Sequence, residues 1–468
     1  MKGNVADFTS GSIPKHLIQF SVPLFLGNLL QTLYNTVDTI WVGKFLGPNA
    51  LGAVSVSFPI IFVLVSLVTG ITMATTVLVG QYKGADDEDM VSKTIDTSMF
   101  LITVAGIVMS IVGVVLHKQI LSLMNTPDEL FEMASGYLNI TFLGLVFVFG
   151  YNTISSILRG LGDSKTPLLF LFYTTLINII LDPVFIFGLG PIPRMGINGA
   201  ALATVLAQAV SFYLSIRYLN KAEHLISVNL INIKFDKEIT KKIFTIGLPA
   251  GIQQAVVALG ATVVMSIVNT FGPIVVAAYG AANKIESFSF MPSMSFGLAS
   301  SALTAQNIGA GKFDRVKEIL KWSSIMAMTV AAVGALIVSV FPKTLLAMFT
   351  NDVNVLNYGA GILKILVLSY VPFSMMFVTQ GIIRGAGDTF ITMVISVFSL
   401  WLVRVPLAYY LSKFTSLQSN GIWVAISISS VISAVLHLIY YFTGRWRKGM
   451  ITTYENDYNE ISELIDKD

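Results

Sequence analysis

The chain repeats itself. Shifted by 225 positions, Gly47-Pro48 falls on Gly272-Pro273, and Gln81, Gly84 and Ala85 fall on Gln306, Gly309 and Ala310. Gly136 falls on Gly361, Arg159-Gly160-x-Gly162-Asp163 on Arg384-Gly385-x-Gly387-Asp388, and Gly196-Ile197 on Gly421-Ile422. One offset serves all of these positions without a gap. A chain of this kind is one module written twice, and its function lies in how the two copies resemble each other and differ.

The module is built for lipid. Hydrophobic residues make up 54% of the 468 positions and charged ones 12%, with a mean hydropathy of +0.76; soluble domains carry roughly 25% charged residues. Twelve apolar runs are long enough to cross a bilayer as helices, near 15–41, 51–80, 93–116, 132–158, 166–189, 198–219, 240–270, 275–307, 318–341, 357–383, 390–412 and 420–443. The expected fold is therefore an all-α integral membrane protein of twelve transmembrane helices in two six-helix lobes. Six is even, so both copies enter the membrane the same way round, related by a pseudo-two-fold axis along its normal. The lobes are expected at 1–219 and 240–443, joined by a charged cytoplasmic linker at 220–239 and followed by a cytoplasmic tail at 444–468.

With the amino terminus placed inside, inner loops and tails hold 21 of the 29 Lys and Arg residues and outer loops hold 5, Lys44, Lys118, Arg194, Lys343 and Lys413. That bias predicts both termini in the cytoplasm of a multi-pass inner-membrane protein. The first apolar run is too long and too interrupted, by Gln19, Asn28 and Gln31, for a cleaved signal. Cysteine is absent, which removes disulfides and thiolate metal sites.

Chemistry is sought where the copies differ. Asp38 in the first helix has Val263 or Val264 as its counterpart; Asp182 and Asn178 in the fifth helix have Leu407 and Val403. Gln31, Tyr34, Asn35 and Asp38 stand at i, i+3, i+4 and i+7, a polar stripe along one helix face. Asn178 and Asp182 stand at i and i+4. Both helices run outward with their Asp late in the span, which puts the carboxylates at one depth in the outer half of the membrane. An ionised Asp there costs ~2.5–3.5 kcal/mol, and such residues read as cation or proton sites by default. The competing reading is a structural hydrogen-bonded pair joining two helices. A proton, a sodium ion or a cationic substrate can each neutralise the pair, and competition for one negative site is the simplest basis for antiport. Pro23 removes a helix hydrogen bond and supplies a hinge to the first helix.

Glu286 and Arg404 interrupt spans of the second copy. They form either a buried ion pair or a second-lobe site with Glu286 as a cation ligand. The repeated Arg-Gly-x-Gly-Asp reads as a tight turn, with a role for Arg159 and Arg384 in an inner gate as the alternative.

The twelve-helix duplicated layout, Pro23 with Asp38 after it, Tyr34 one turn before Asp38, Asn178-x-x-x-Asp182-Pro183 and the Gly-x-Asn-Gly-Ala-Ala run at 196–201 resemble the multidrug and toxin extrusion (MATE) family, in its DinF-like branch. The resemblance covers nearly the whole chain. It implies coupling-ion roles for Asp38, Asn178 and Asp182, with Tyr34 in support and Thr204 as the candidate for a threonine of the sixth helix. The acidic residue that NorM-like members carry in the seventh helix is replaced here by Gln253-Gln254. The implied activity is export of cationic amphipathic drugs or metabolites, driven by inward flow of protons or sodium ions, by a monomer in the bilayer. No cofactor, resident metal or nucleic-acid partner is expected. The alternative is a flippase for lipid-linked saccharides from the same superfamily, which calls for a strongly cationic cavity. An enzyme is not expected: the four histidines are scattered, and no H-E-x-x-H, G-x-S-x-G or phosphate-binding loop occurs.

Overall fold

A computed structural model describes residues 5–221 and 235–449. Glu223, His224 and most of the expected linker, with the tail from 450, lie outside the described residues. Twelve helical rods follow one another: α1 (Ile13–Leu46), α2 (Pro48–Gly84), α3 (Glu88–Leu123), α4 (Asp128–Leu143 continued by Leu145–Leu161), α5 (Lys165–Phe187), α6 (Ile197–Lys221), α7 (Lys237–Asn269), α8 (Pro273–Gly309), α9 (Phe313–Val340), α10 (Val353–Gly385), α11 (Thr389–Phe414) and α12 (Asn420–Phe442). No strand occurs among the described residues.

Ten rods are each long and apolar enough to span a membrane, and α4 makes an eleventh as two pieces bent by 49°. The twelfth, α8, has the length, 37 residues, but not the apolarity. The reason is its partners. Ala299, Ser300, Ser301, Ala302 and Ala305 are all buried, because α8 packs closely against α9 and α10. Inside a bilayer, burial against protein favours small residues over greasy ones, since lipid already solvates the latter. The large apolar residues point outward instead: Ile180, Leu336 and Phe442 are 64%, 64% and 75% exposed.

The repeat is visible in atomic detail. In both Arg-Gly-x-Gly-Asp segments the second glycine is left-handed, with φ of +96° at Gly162 and +93° at Gly387, and its amide bonds back to the arginine carbonyl. The Asp then caps the next helix: Asp163 accepts from the Lys165 and Thr166 amides, and Asp388 from the Ile391 amide. The turn reading is thereby accounted for. Thr75 donates to Ser98 at 3.0 Å, and their repeat mates Ser300 and Ser323 make the same bond at 2.9 Å. The helix ends at Gly84 and Gly309 are mates in a reciprocal contact. A Cβ on Gly84 would lie 1.9 Å from the Gln306 carbonyl oxygen, and one on Gly309 would lie 1.8 Å from that of Gln81. No other residue fits either place.

By contact the chain divides into two units. The first comprises Met1–Ala6, Val22–Val79 and Asp87–Gly251; the second comprises Asp7–Ser21, Gly80–Asp86 and Ile252–Asp468. The first is cored by residues such as Val42, Ile102, Phe142, Phe149 and Ile186, the second by Val268, Leu363, Tyr370, Ile422 and Trp423. Helix α1 leaves the second unit for the first beside Pro23, and α7 leaves the first for the second close to Pro249, which falls on Pro23 at an offset of 226. The segment just before α1 is held in the second unit at Phe8, whose amide donates to Gln306 and whose carbonyl accepts from Asn307 and Arg315.

Candidate functional site

Within the first unit, three helices bring the polar residues of the first copy together. Tyr34 on α1 is buried, and its hydroxyl donates to Thr204 Oγ1 on α6 at 3.1 Å. Asn178 and Asp182 on α5 are both 0% exposed. Asn178 Nδ2 donates to Asp182 Oδ1 at 3.1 Å and to Thr204 Oγ1 at 3.4 Å. Asp38 lies one turn beyond Tyr34, close enough to Asp182 that the two carboxylates feel each other's charge. Thr204, the weakest of the site candidates on spacing, turns out to be the shared acceptor at the centre.

The stripe on α1 divides. Tyr34 and Asp38 join this cluster, whereas Gln31 and Asn35 bond one another along the helix at 3.3 Å, with Asn35 exposed. A residue missed by sequence reasoning is Tyr137 on α4, whose phenol feels the charge of both Asp38 and Asp182. Its only signal was its place beside the repeated Gly136. Upstream of Tyr34, Leu26, Leu29, Leu30 and Leu33 face Leu168 and Phe172 of α5 across an apolar cleft of about 440 Å³.

The donor and acceptor balance of the cluster is lopsided. Asp38 Oδ1, Asn178 Oδ1 and Asp182 Oδ2 are buried and accept no hydrogen bond. All three are acceptors, so a donor or a cation is what the site lacks. Among the described residues no basic side chain lies within ion-pair distance of them; ion pairs such as Lys93–Asp89 and Lys317–Asp314 join neighbours on a helix surface. A buried carboxylate without a counter-charge is costly in a membrane interior, and neutralisation by a proton or a cation relieves that cost. Oxygen ligands of this kind suit a hard monovalent cation as well as a proton. Among the described residues no group of three or more His, Cys, Asp or Glu side chains forms a metal site.

The second copy has a different cluster. Ser429, the repeat mate of Thr204, accepts from Arg404 Nε at 2.8 Å, and the guanidinium lies 5.8 Å from the Phe373 ring centre. Glu286 on α8 is 7% exposed. It and Arg404 interact electrostatically but do not come within ion-pair distance. Helix α11 widens into a π turn over Phe398–Arg404, where its mate α5 stays regular.

Residues 23–184 and 249–410 each match the MatE family, two matches displaced by 226 positions and beginning at the two paired prolines. The chain belongs to the MATE family. Among its relatives, the probable multidrug resistance proteins YoeA and YpnP of Bacillus subtilis are each 35% identical to it, covering 94% of this chain and 96% and 97% of theirs. The fold matches that of a multidrug resistance MATE family transporter of the MOP superfamily solved in an outward-facing conformation, with a TM-score of 0.89 at 23% identity over 96% of this chain and 99% of that one. This chain thus has the MATE architecture of two six-helix lobes.

As a MATE protein it treats the seventh helix distinctively. Gln253 is 2% exposed and wholly engaged: its Nε2 donates to the Thr392 carbonyl at 3.0 Å and to Ser396, and its Oε1 accepts from Arg384 at 2.6 Å. Arg384 therefore does more than end a helix; it ties α10 to α7.

Proposed function

We propose that this MATE protein is a secondary active multidrug efflux antiporter of the cytoplasmic membrane. It exports cationic amphipathic compounds in exchange for protons or sodium ions, as a monomer with both termini in the cytoplasm. The observation that carries this reading is the trio of buried acceptor oxygens, Asp38 Oδ1, Asn178 Oδ1 and Asp182 Oδ2, with no basic side chain at ion-pair distance. The multidrug resistance names of YoeA and YpnP support the substrate class, and the Lys and Arg bias supports the orientation.

The mechanism follows from competition. With the carboxylates ionised, the pair favours a cation; once a proton or sodium ion arrives, the negative charge is spent and a cationic substrate loses its partner. Neutralising one carboxylate alters the field at the other, so the first cation changes the affinity for the second. Tyr34 and Asn178, joined through Thr204, link α1 to α5 and α6, and Pro23 gives α1 a place to bend as that link changes.

The test is uptake of a fluorescent cation such as ethidium into everted vesicles under an imposed proton or sodium gradient. Wild type takes up the dye under at least one gradient, and Asp38→Asn loses that uptake. Undiminished uptake by the variant would remove the first-repeat site from coupling; no uptake by wild type under either gradient would favour lipid-linked saccharide flipping.

A further inference from the structure

The second repeat holds two opposite charges apart. Glu286 makes no hydrogen bond, and its buried Oε1 has no partner. Arg404 is pinned by Ser429 and by the face of Phe373, and its terminal nitrogens find no acceptor among the described residues. In a low-dielectric interior two such groups gain strongly by touching, and long side chains usually reach. Here Arg404 is held by Ser429 and Phe373, Glu286 lies beyond ion-pair distance of it, and the two charges do not meet.

The same packed cluster leaves another polar atom unmatched. Tyr370 and Trp423 are 1% and 0% exposed, and Trp423 Nε1 has no hydrogen-bond partner. Trp423 stacks on Tyr279 at 4.9 Å, and Phe290 meets both Tyr370 and Phe373 at about 5 Å. Tyr279 and Tyr370 both lie in the field of Glu286. The π turn that ends at Arg404 is of a kind that recurs at functional sites. An acceptor, donors and an aromatic wall thus converge within one unit.

The geometry points to a subsite for an ampholyte, a small amphipathic molecule whose ammonium is received by Glu286 and whose carboxylate is received by Arg404, with its apolar body against Phe290 and Phe373. A simple cation would satisfy Glu286 and be repelled by Arg404. A simple anion would do the reverse. A molecule with both charges neutralises both groups, and rejection of each single-charge analogue follows from the group it leaves unpaired. This extends the substrate range of the proposed exporter, and it rests on that reading for transport but not for binding.

Calorimetric titration of the purified full-length protein in detergent tests it. Two ampholytes of different charge spacing, phenylalanine and para-aminomethylbenzoate, are compared with phenethylamine, which lacks the carboxylate, and hydrocinnamate, which lacks the amine. At least one ampholyte binds wild type about tenfold or more tighter than either single-charge compound, as one charged hydrogen bond of ~1.5–3 kcal/mol requires. Glu286→Gln and Arg404→Gln each remove that advantage, and Asp38→Asn keeps it. Arg404→Lys, which retains the charge, keeps part of the advantage and serves if Arg404→Gln does not fold. The proposal is overturned if phenethylamine binds wild type as tightly as both ampholytes. It is equally overturned if Arg404→Gln, melting like wild type, binds the ampholyte unchanged. Because no gradient is involved, ampholyte binding with no ethidium export would sink the exporter reading and leave the subsite standing.

Discussion

Thr204 and Ser429 occupy the same place in the two repeats and keep opposite company. Thr204 accepts from Tyr34 and Asn178 beside two carboxylates; Ser429 accepts from a guanidinium braced on Phe373. One hydroxyl position serves a cluster short of positive charge in the first copy and a cationic one in the second. Duplication supplied the scaffold, including the left-handed glycines, the Asp caps and the Thr75–Ser98 and Ser300–Ser323 bonds. Divergence at a few inward positions then gave each copy its own electrostatics. The difference teaches that the acidic cluster of the first copy is no part of the shared repeat: Asp38, Asn178 and Asp182 have only apolar counterparts in the second.

The comparison can be broken most severely at its acids. Asp182→Asn should lower gradient-driven ethidium uptake by about two orders of magnitude, since a neutral amide cannot exchange one cation for another. Leu407→Met, at the matching position, should stay near wild type, because a volume-conserving swap is well tolerated. Equal losses in both would show that depth alone, not chemistry, sets the effect.

Shared positions should behave alike. Gly84→Val and Gly309→Val each drive a Cβ into backbone, and each should destabilise the detergent-solubilised protein by about 3 kcal/mol or more, read as matched drops in melting temperature. A variant pair that differed widely would mean that the reciprocal contact is not reciprocal in energy.

The two hydroxyls should separate again. Thr204→Val strands the Tyr34 hydroxyl and should weaken coupling-ion affinity by about tenfold, the effect of ~1–3 kcal/mol from an unmet buried donor. Ser429→Ala should leave that affinity unchanged.

The smallest effect is at the amino-terminal segment. Burial works against the Asp7 carboxylate, but bonds from the Thr9 hydroxyl and amide and from Ser10, with Lys312 nearby, outweigh it and hold its pKa below the ordinary 3.8. The stability it contributes is present above 3.8 and lost as pH falls through the depressed value. The protection of the Thr9 amide, its exchange rate taken relative to the intrinsic rate at each pH, should therefore be level from neutral pH down to about 4 and fall only below it; a fall already near neutrality would assign the change to another group.

What the sequence displayed was whatever depends on spacing. The offset of 225, the i and i+4 relation of Asn178 and Asp182, the turn glycines and Pro23 are all local or periodic, so they could be seen before any helix was placed. What it hid depends on which helices approach. Tyr137 and Thr204 become site residues only because α4 and α6 pack beside α5. Gln253 looked like a missing acid and is instead the buried partner of Arg384. Glu286 and Arg404 looked like a pair or a site, and only their placement shows that they are held apart. Helix α8 read as an apolar run and is a polar, small-residue rod because its neighbours are protein.

The central claim is that cations exchange for substrate at the carboxylates of the first copy alone. It is tested most directly by adding ethidium to purified protein and measuring the protons or sodium ions released. Wild type and Glu286→Gln should release the ion on binding, and Asp38→Asn and Asp182→Asn should release none. Undiminished release from the two Asp variants, or its loss in Glu286→Gln alone, would contradict the account.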